Sequence, residues 1–103
     1  MVEADLLTPT IIHASVSREY LTVELDDRRI LSIPLEWYPR LTHARWDELQ
    51  LFHIEGNNIH WPVLDEDIGV RGMLLGRRSH ESKASLQAWL KSRRVNAKSV
   101  KAA

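Results

Sequence analysis

Cysteine is absent from this 103-residue sequence. Disulfides are therefore excluded as a source of stability, and so are thiol catalysis and thiolate metal sites. A chain without cysteine suits a reducing compartment, and a cytoplasmic location is expected. No apolar run approaches the roughly 20 residues needed to span a bilayer. The opening Met1-Val2-Glu3-Ala4-Asp5 carries acids where a secretory signal carries positive charge. Glycine is scarce as well: the four glycines, at 56, 69, 72 and 76, form no phosphate-binding loop. The serines lie in no nucleophile-elbow pattern. The five histidines (His13, His43, His53, His60 and His80) include no two spaced three or four apart, as a helical metal motif requires. No catalytic residue, metal or cofactor is expected, and the chain reads as a non-enzyme.

What is present is enough for one packed core. Hydrophobic residues make up 44% and charged residues 27%, the proportions of a globular domain rather than a disordered one. The formal net charge of zero hides a division along the chain. Residues 1–76 hold six Lys and Arg against thirteen Asp and Glu, whereas 77–103 hold eight against Glu81 alone. An acidic body, 1–76, is followed by a basic segment, 77–103.

Local pattern gives the body an α+β reading. Ile11–Val16 and Tyr20–Leu25 are rich in β-branched and aromatic residues and flank Ser17-Arg18-Glu19, which predicts a hairpin. In the second run Leu21, Val23 and Leu25 alternate with Tyr20, Thr22 and Glu24, as in a half-buried strand. Asp26-Asp27 turns the chain into a third strand over 28–33, completing an antiparallel meander. Pro34 and Pro39 mark the exit from the sheet. Leu41, Ala44 and Arg45 predict a short helix over 40–48. Residues 49–55 and 58–61 flank Gly56-Asn57 as a second hairpin, bringing the count to about five strands. Asp65 is expected to cap a short or broken helix beginning near Leu64, with Ile68, Leu74 and Leu75 toward the sheet and Gly76 ending it. Finally, 82–94 reads as an amphipathic helix capped by Ser82, with Leu86, Trp89 and Leu90 on one face and a frayed tail from Asn96.

Two surfaces stand out as candidates for recognition. Trp37-Tyr38-Pro39-Arg40 places aromatics and an arginine beside proline, a composition found at interface hot spots. Trp46 and Trp61 are read as core residues, while Trp37 and Tyr38 could serve either core or surface. The second surface is the face of Leu86, Trp89 and Leu90 with its flanking cations, which could dock on an acidic partner protein or on the chain's own acidic body. The cations themselves, Arg77, Arg78, Arg93, Arg94, Lys98 and Lys101, could instead contact nucleic-acid phosphates. A hairpin pairing could bring His53 near His60, but solvated strand histidines are the simpler expectation. The Asp65-Glu66-Asp67 triplet is likewise explained by helix-start electrostatics without a metal.

From about Thr10 to Gly76 the succession resembles a small bacterial family known as domain of unknown function 2442. The stretches that carry the likeness are 21–30 (LTVELDDRRI), 34–41 (PLEWYPRL), 56–68 (GNNIHWPVLDEDI) and 72–76 (GMLLG). In the family's first stretch a glycine stands where this chain has Arg28. The resemblance implies a compact α+β fold and supplies no known catalytic residues. It also implies a gene pair, since members are often encoded beside another small protein in an arrangement similar to toxin–antitoxin pairs. The expected role is a protein-binding module of antitoxin-like kind, with a nucleic-acid-binding regulator as the alternative.

Overall fold

The computed structural model describes residues 8–102, with side chains described from 8 to 94. Strands β1 (Ile11–Val16), β2 (Tyr20–Leu25) and β3 (Ile30–Pro34) form an antiparallel sheet in the order β1-β2-β3. The alternation in β2 is realised in full: Leu21, Val23 and Leu25 are buried, and Thr22 on the opposite face shares a 3.0 Å hydroxyl contact with Ser32. The first turn is closed by Ser17, whose hydroxyl accepts from the backbone N–H groups of Glu19 and Tyr20. In the second turn the Arg28 N–H donates to the Leu25 carbonyl and Arg28 takes a φ of 79°. This is the left-handed geometry that favours glycine, and a side chain there costs about 1–2 kcal/mol.

After a 3₁₀ turn at Leu35–Trp37 the chain makes two one-turn helices, α1 (Pro39–Thr42) and α2 (Trp46–Leu49). The single helix expected over 40–48 is broken at 43–45, because Arg45 adopts an extended ψ of 158° and starts α2 afresh. Its backbone N–H donates to the Glu48 carboxylate at 2.8 Å, which satisfies a free donor at the new helix start.

The second sheet is also three-stranded, with order β4 (His53–Glu55), β5 (Asn58–Trp61) and β6 (Glu66–Gly69). Gly56 takes a φ of 61° at the first position of the β4–β5 turn, the requirement of a type II′ hairpin. Two expectations are corrected here. The strand predicted from residue 49 begins only at His53, because Leu49 closes α2. The helix predicted near Leu64 is instead a hairpin and a sixth strand: Pro62-Val63-Leu64-Asp65 form the loop, and Glu66 pairs with Trp61. Asp65 is not a helix cap but the loop residue at a φ of 51°, a left-handed conformation that Asp tolerates better than most residues.

Helix α3 (Val70–Leu74) follows directly and ends at Gly76, whose φ of 70° matches the predicted C-cap. Ile68 faces inward as expected, but Leu74 and Leu75 are exposed. The two sheets are joined where the Ile11 N–H donates to the Gly56 carbonyl. Between them lies one core, centred on Leu21, Leu25, Leu41, Leu49, Ile59 and Trp61. Trp61 is fully buried, its indole N–H donates to the Leu49 carbonyl at 3.1 Å, and its ring contacts Phe52 at 5.6 Å. The last element, α4, runs over Lys83–Ala102.

Replacing Arg28 by glycine relieves the left-handed strain while adding unfolded-state entropy. The net expectation is a gain of about 0.5–1 kcal/mol in urea unfolding, with an unchanged m-value.

Candidate functional site

The basic segment is tied to the body over residues 81–93. Ser82 caps α4 by accepting the Ser85 N–H at 3.1 Å, and the helix up to Arg93 then lies on the body. Two ion pairs hold it. At its start Glu81 receives the Arg40 guanidinium through Nε at 2.9 Å and Nη2 at 2.6 Å, and Ser85 donates to the same carboxylate at 2.8 Å. Three turns later Arg93 donates both terminal nitrogens to Glu48, at 2.9 and 2.7 Å. Trp89 sits between them, with the Arg40 and Arg93 guanidinium carbons 4.9 and 4.6 Å from its ring centre. Arg40 also donates to the Leu64 carbonyl at 3.0 Å, so one guanidinium joins α1, the β5–β6 loop and α4.

These pairs are partly desolvated. The side chains of Arg40 and Glu81 are 16% and 11% exposed, those of Arg93 and Glu48 24% and 4%. The hydrogen bonds from Arg93 hold the Glu48 carboxyl below its ordinary range, and those from Arg40 do the same for Glu81. Apolar burial adds little, since no side chain from 83 to 94 is fully buried. Leu86 and Leu90 are only half-buried, and Trp89 packs against the edge of the core.

The other predicted residues are scattered. Tyr38 is buried at the edge of the core. Trp37 is half-buried with Arg78 stacked on it at 4.9 Å, and its carbonyl accepts the Ser79 N–H. Arg77 and Arg94 are exposed, and the side chain of Lys98 lies outside the described residues. Trp46, expected in the core, is 49% exposed because the break before α2 turns it outward. Arg18 lies over its ring at 5.5 Å and donates to the Ala44 carbonyl at 3.3 Å. The same arginine borders a groove of about 360 Å³ with Tyr20, Pro34, Glu36 and Thr42.

One cleft is not foreseen from the sequence. Glu66 and Tyr38 line a cleft of about 300 Å³ with Arg77, Arg78 and His80. Burial pushes the Glu66 carboxyl up to about 7, against the pull of Arg40 and with added repulsion from Glu81, Asp67 and Asp65. Burial and the charge of Glu66 also raise the Tyr38 phenol. In the sequence Glu66 stands out only as part of the Asp65-Glu66-Asp67 triplet, read there as helix-start electrostatics. For the latch there is one signal, that Glu81 is the single acid among eight bases after Gly76.

A two-sheet α+β body carrying a charge-latched helix is the class these features define. Residues 11–79 match the family described as protein of unknown function DUF2442, and the chain belongs to that family. Its fold is similar to a crystal structure of a protein of unknown function from Rhodospirillum rubrum, with TM-score 0.62 and 26% identity. That alignment covers 76% of this chain and 96% of the other, so about a quarter of this chain has no counterpart there. A solution structure of an uncharacterized protein from Chromobacterium violaceum shares the fold at TM-score 0.59 and 22% identity, covering 68% of each chain. No curated protein matches the sequence. Among the described residues no helix is long and apolar enough to cross a membrane.

The latch and Glu66 respond to pH with opposite sign. Glu48 and Glu81 have lowered values, so their contribution is present above about pH 4.3, the ordinary Glu value, and is lost as pH falls through the folded values. Glu66 has a raised value, so its contribution is present below that range and is lost as pH rises toward about 7. Glu66→Gln is expected to match the parent at pH 4 and to exceed it by about 1–2 kcal/mol at pH 8 in urea unfolding, after allowance for solvent screening. Arg93→Ala strands the buried Glu48 carboxylate and should cost about 2–4 kcal/mol with a change in Trp fluorescence, while Arg94→Ala stays within about 0.5 kcal/mol.

Proposed function

We infer that the chain is a non-catalytic protein-binding module, of the antitoxin-like kind that the family resemblance implies, and that its partner surface is centred on Trp46. The observation that carries this reading is the half-exposed Trp46 with Arg18 stacked on it, beside the groove that Arg18 shares with Tyr20. Trp, Tyr and Arg are the residues that dominate binding energy at protein interfaces, and large rigid rings lose little entropy on docking. The face of Leu86, Trp89 and Leu90 is directed instead toward the chain's own body, held by Arg40 and Glu48.

Nucleic-acid binding by the basic segment is the competing reading. Arg93 is tied to Glu48 and Arg78 is stacked on Trp37, which reduces the cations open to phosphate. The acidic body repels the same backbone.

Co-expression with the protein encoded beside it, followed by size-exclusion chromatography, tests the main reading. A stable complex is expected, weakened at least about tenfold by Trp46→Ala and changed less than about twofold by Leu75→Ala on another face. Separate elution at micromolar concentration overturns it. A log affinity for DNA that falls with log salt at a slope near about −5 would favour the alternative.

A further inference from the structure

The exposed face of the second sheet carries a row of cross-strand partners: His53 pairs with His60, and His60 with Asp67. The imidazole rings are 5.3 Å apart centre to centre, inclined at 59°. Each ring has one nitrogen near a carboxylate, and at His60 the contact is a hydrogen bond. His60 Nδ1 lies 2.8 Å from Asp67 Oδ1, and His53 Nε2 lies 3.2 Å from Glu55 Oε1. The remaining nitrogens, Nε2 of His60 and Nδ1 of His53, make no hydrogen bond among the described residues. The side chains are 30% and 51% exposed, so an ion could reach them.

The geometry points to a two-histidine site for a divalent transition-metal ion, zinc in the first instance, formed by His53 Nδ1 and His60 Nε2. Three features of the row support it. With Zn–N bonds of about 2.0–2.1 Å and a tetrahedral angle, two ligating imidazoles have their centres about 5 Å apart. The observed spacing is close to that. A ligating histidine characteristically gives its second nitrogen to a carboxylate, which fixes the tautomer and raises the basicity of the ligating atom. His60 has that partner in Asp67, and His53 has the Glu55 carboxylate 3.2 Å away without a hydrogen bond to it. Finally, imidazole suits zinc, copper and nickel rather than magnesium or calcium, which sets the chemical class of the ion.

The site is a surface chelate. Among the described residues no group of three or more His, Cys, Asp or Glu side chains is placed to hold a metal. Water completes the coordination, so affinity in the micromolar range is expected rather than that of a closed structural site. The row also explains why spacing in the chain is uninformative: His53 and His60 are brought together by hairpin register, not by a helical or short-loop motif.

Isothermal titration of the full chain with zinc chloride at pH 7.5 tests the proposal. One ion per chain is expected. His53→Gln and His60→Gln should each weaken binding at least about tenfold, and Asp67→Ala by about tenfold through loss of the outer carboxylate. His13→Gln and His80→Gln should leave it unchanged. Nitrogen-15 imidazole spectra should show the shift on His53 and His60 alone. Circular dichroism establishes that the variants fold, which their exposed positions favour. No saturable binding below millimolar zinc overturns the site, as does binding that persists unaltered in both His53→Gln and His60→Gln.

Discussion

The arrangement of the C-terminal half depends on the guanidinium of Arg40. It reaches Glu81, the Leu64 carbonyl and the ring of Trp89, groups 41, 24 and 49 positions away along the chain. A planar fork with five donors can meet a carboxylate, a carbonyl and an aromatic face together. A lysine ammonium could not hold the carboxylate in two bonds while stacking on the indole. The segment that Arg40 sits on is short, a one-turn helix entered by Pro39, and it has little intrinsic stability. Its place is secured by Leu41 in the core and by Arg40 at the surface.

The second ion pair turns this anchor into a direction. A base of the body, Arg40, meets the acid at the start of the tail, and an acid of the body, Glu48, meets a base three turns further on. Were α4 to lie the other way round, Glu81 would face Glu48 and Arg93 would face Arg40. Like charges in partly desolvated positions are costly, so the crossed pattern selects one orientation and excludes its reverse. Apolar contact could not make that choice, because the helix offers only half-buried Leu86, Trp89 and Leu90.

The strands legible in the sequence are those in which side-chain alternation and turn chemistry agree. Tyr20–Leu25 shows both, and Gly56-Asn57 fixes the second hairpin. The errors fall where one residue type serves two geometries. Asp65-Glu66-Asp67 suits a helix start electrostatically, but Asp is also a residue that accepts the left-handed turn, and the preceding Pro62 supplies a loop entry. Leu41, Ala44 and Arg45 have helical spacing, yet the Glu48 carboxylate rewards a new helix start at Arg45. That break sends Trp46, expected in the core, to the surface, while Tyr38, for which the sequence allows either place, lies in the core. Docking of the helix face on the body and the approach of His53 to His60 are open readings of the sequence, but the particular ion pairs and the Glu66 cleft are not legible in it. Each joins residues from separate elements, and no local pattern encodes a partner 41 positions away.

Glu66 connects the cleft to the latch. Its carboxyl feels the attraction of Arg40 and the repulsion of Glu81, the two members of the ion pair that starts the docked helix. Charging Glu66 therefore draws on the same guanidinium and opposes the same carboxylate. By linkage, whatever removes Glu81 from this neighbourhood makes Glu66 easier to ionise, and ionising Glu66 makes Glu81 easier to remove. The helix is held chiefly by charge, and the charge beside it changes near pH 7. Its attachment is thus coupled to pH through Glu66, whereas the core between the two sheets, with Trp61 sealed by a hydrogen bond to Leu49, rests on apolar packing.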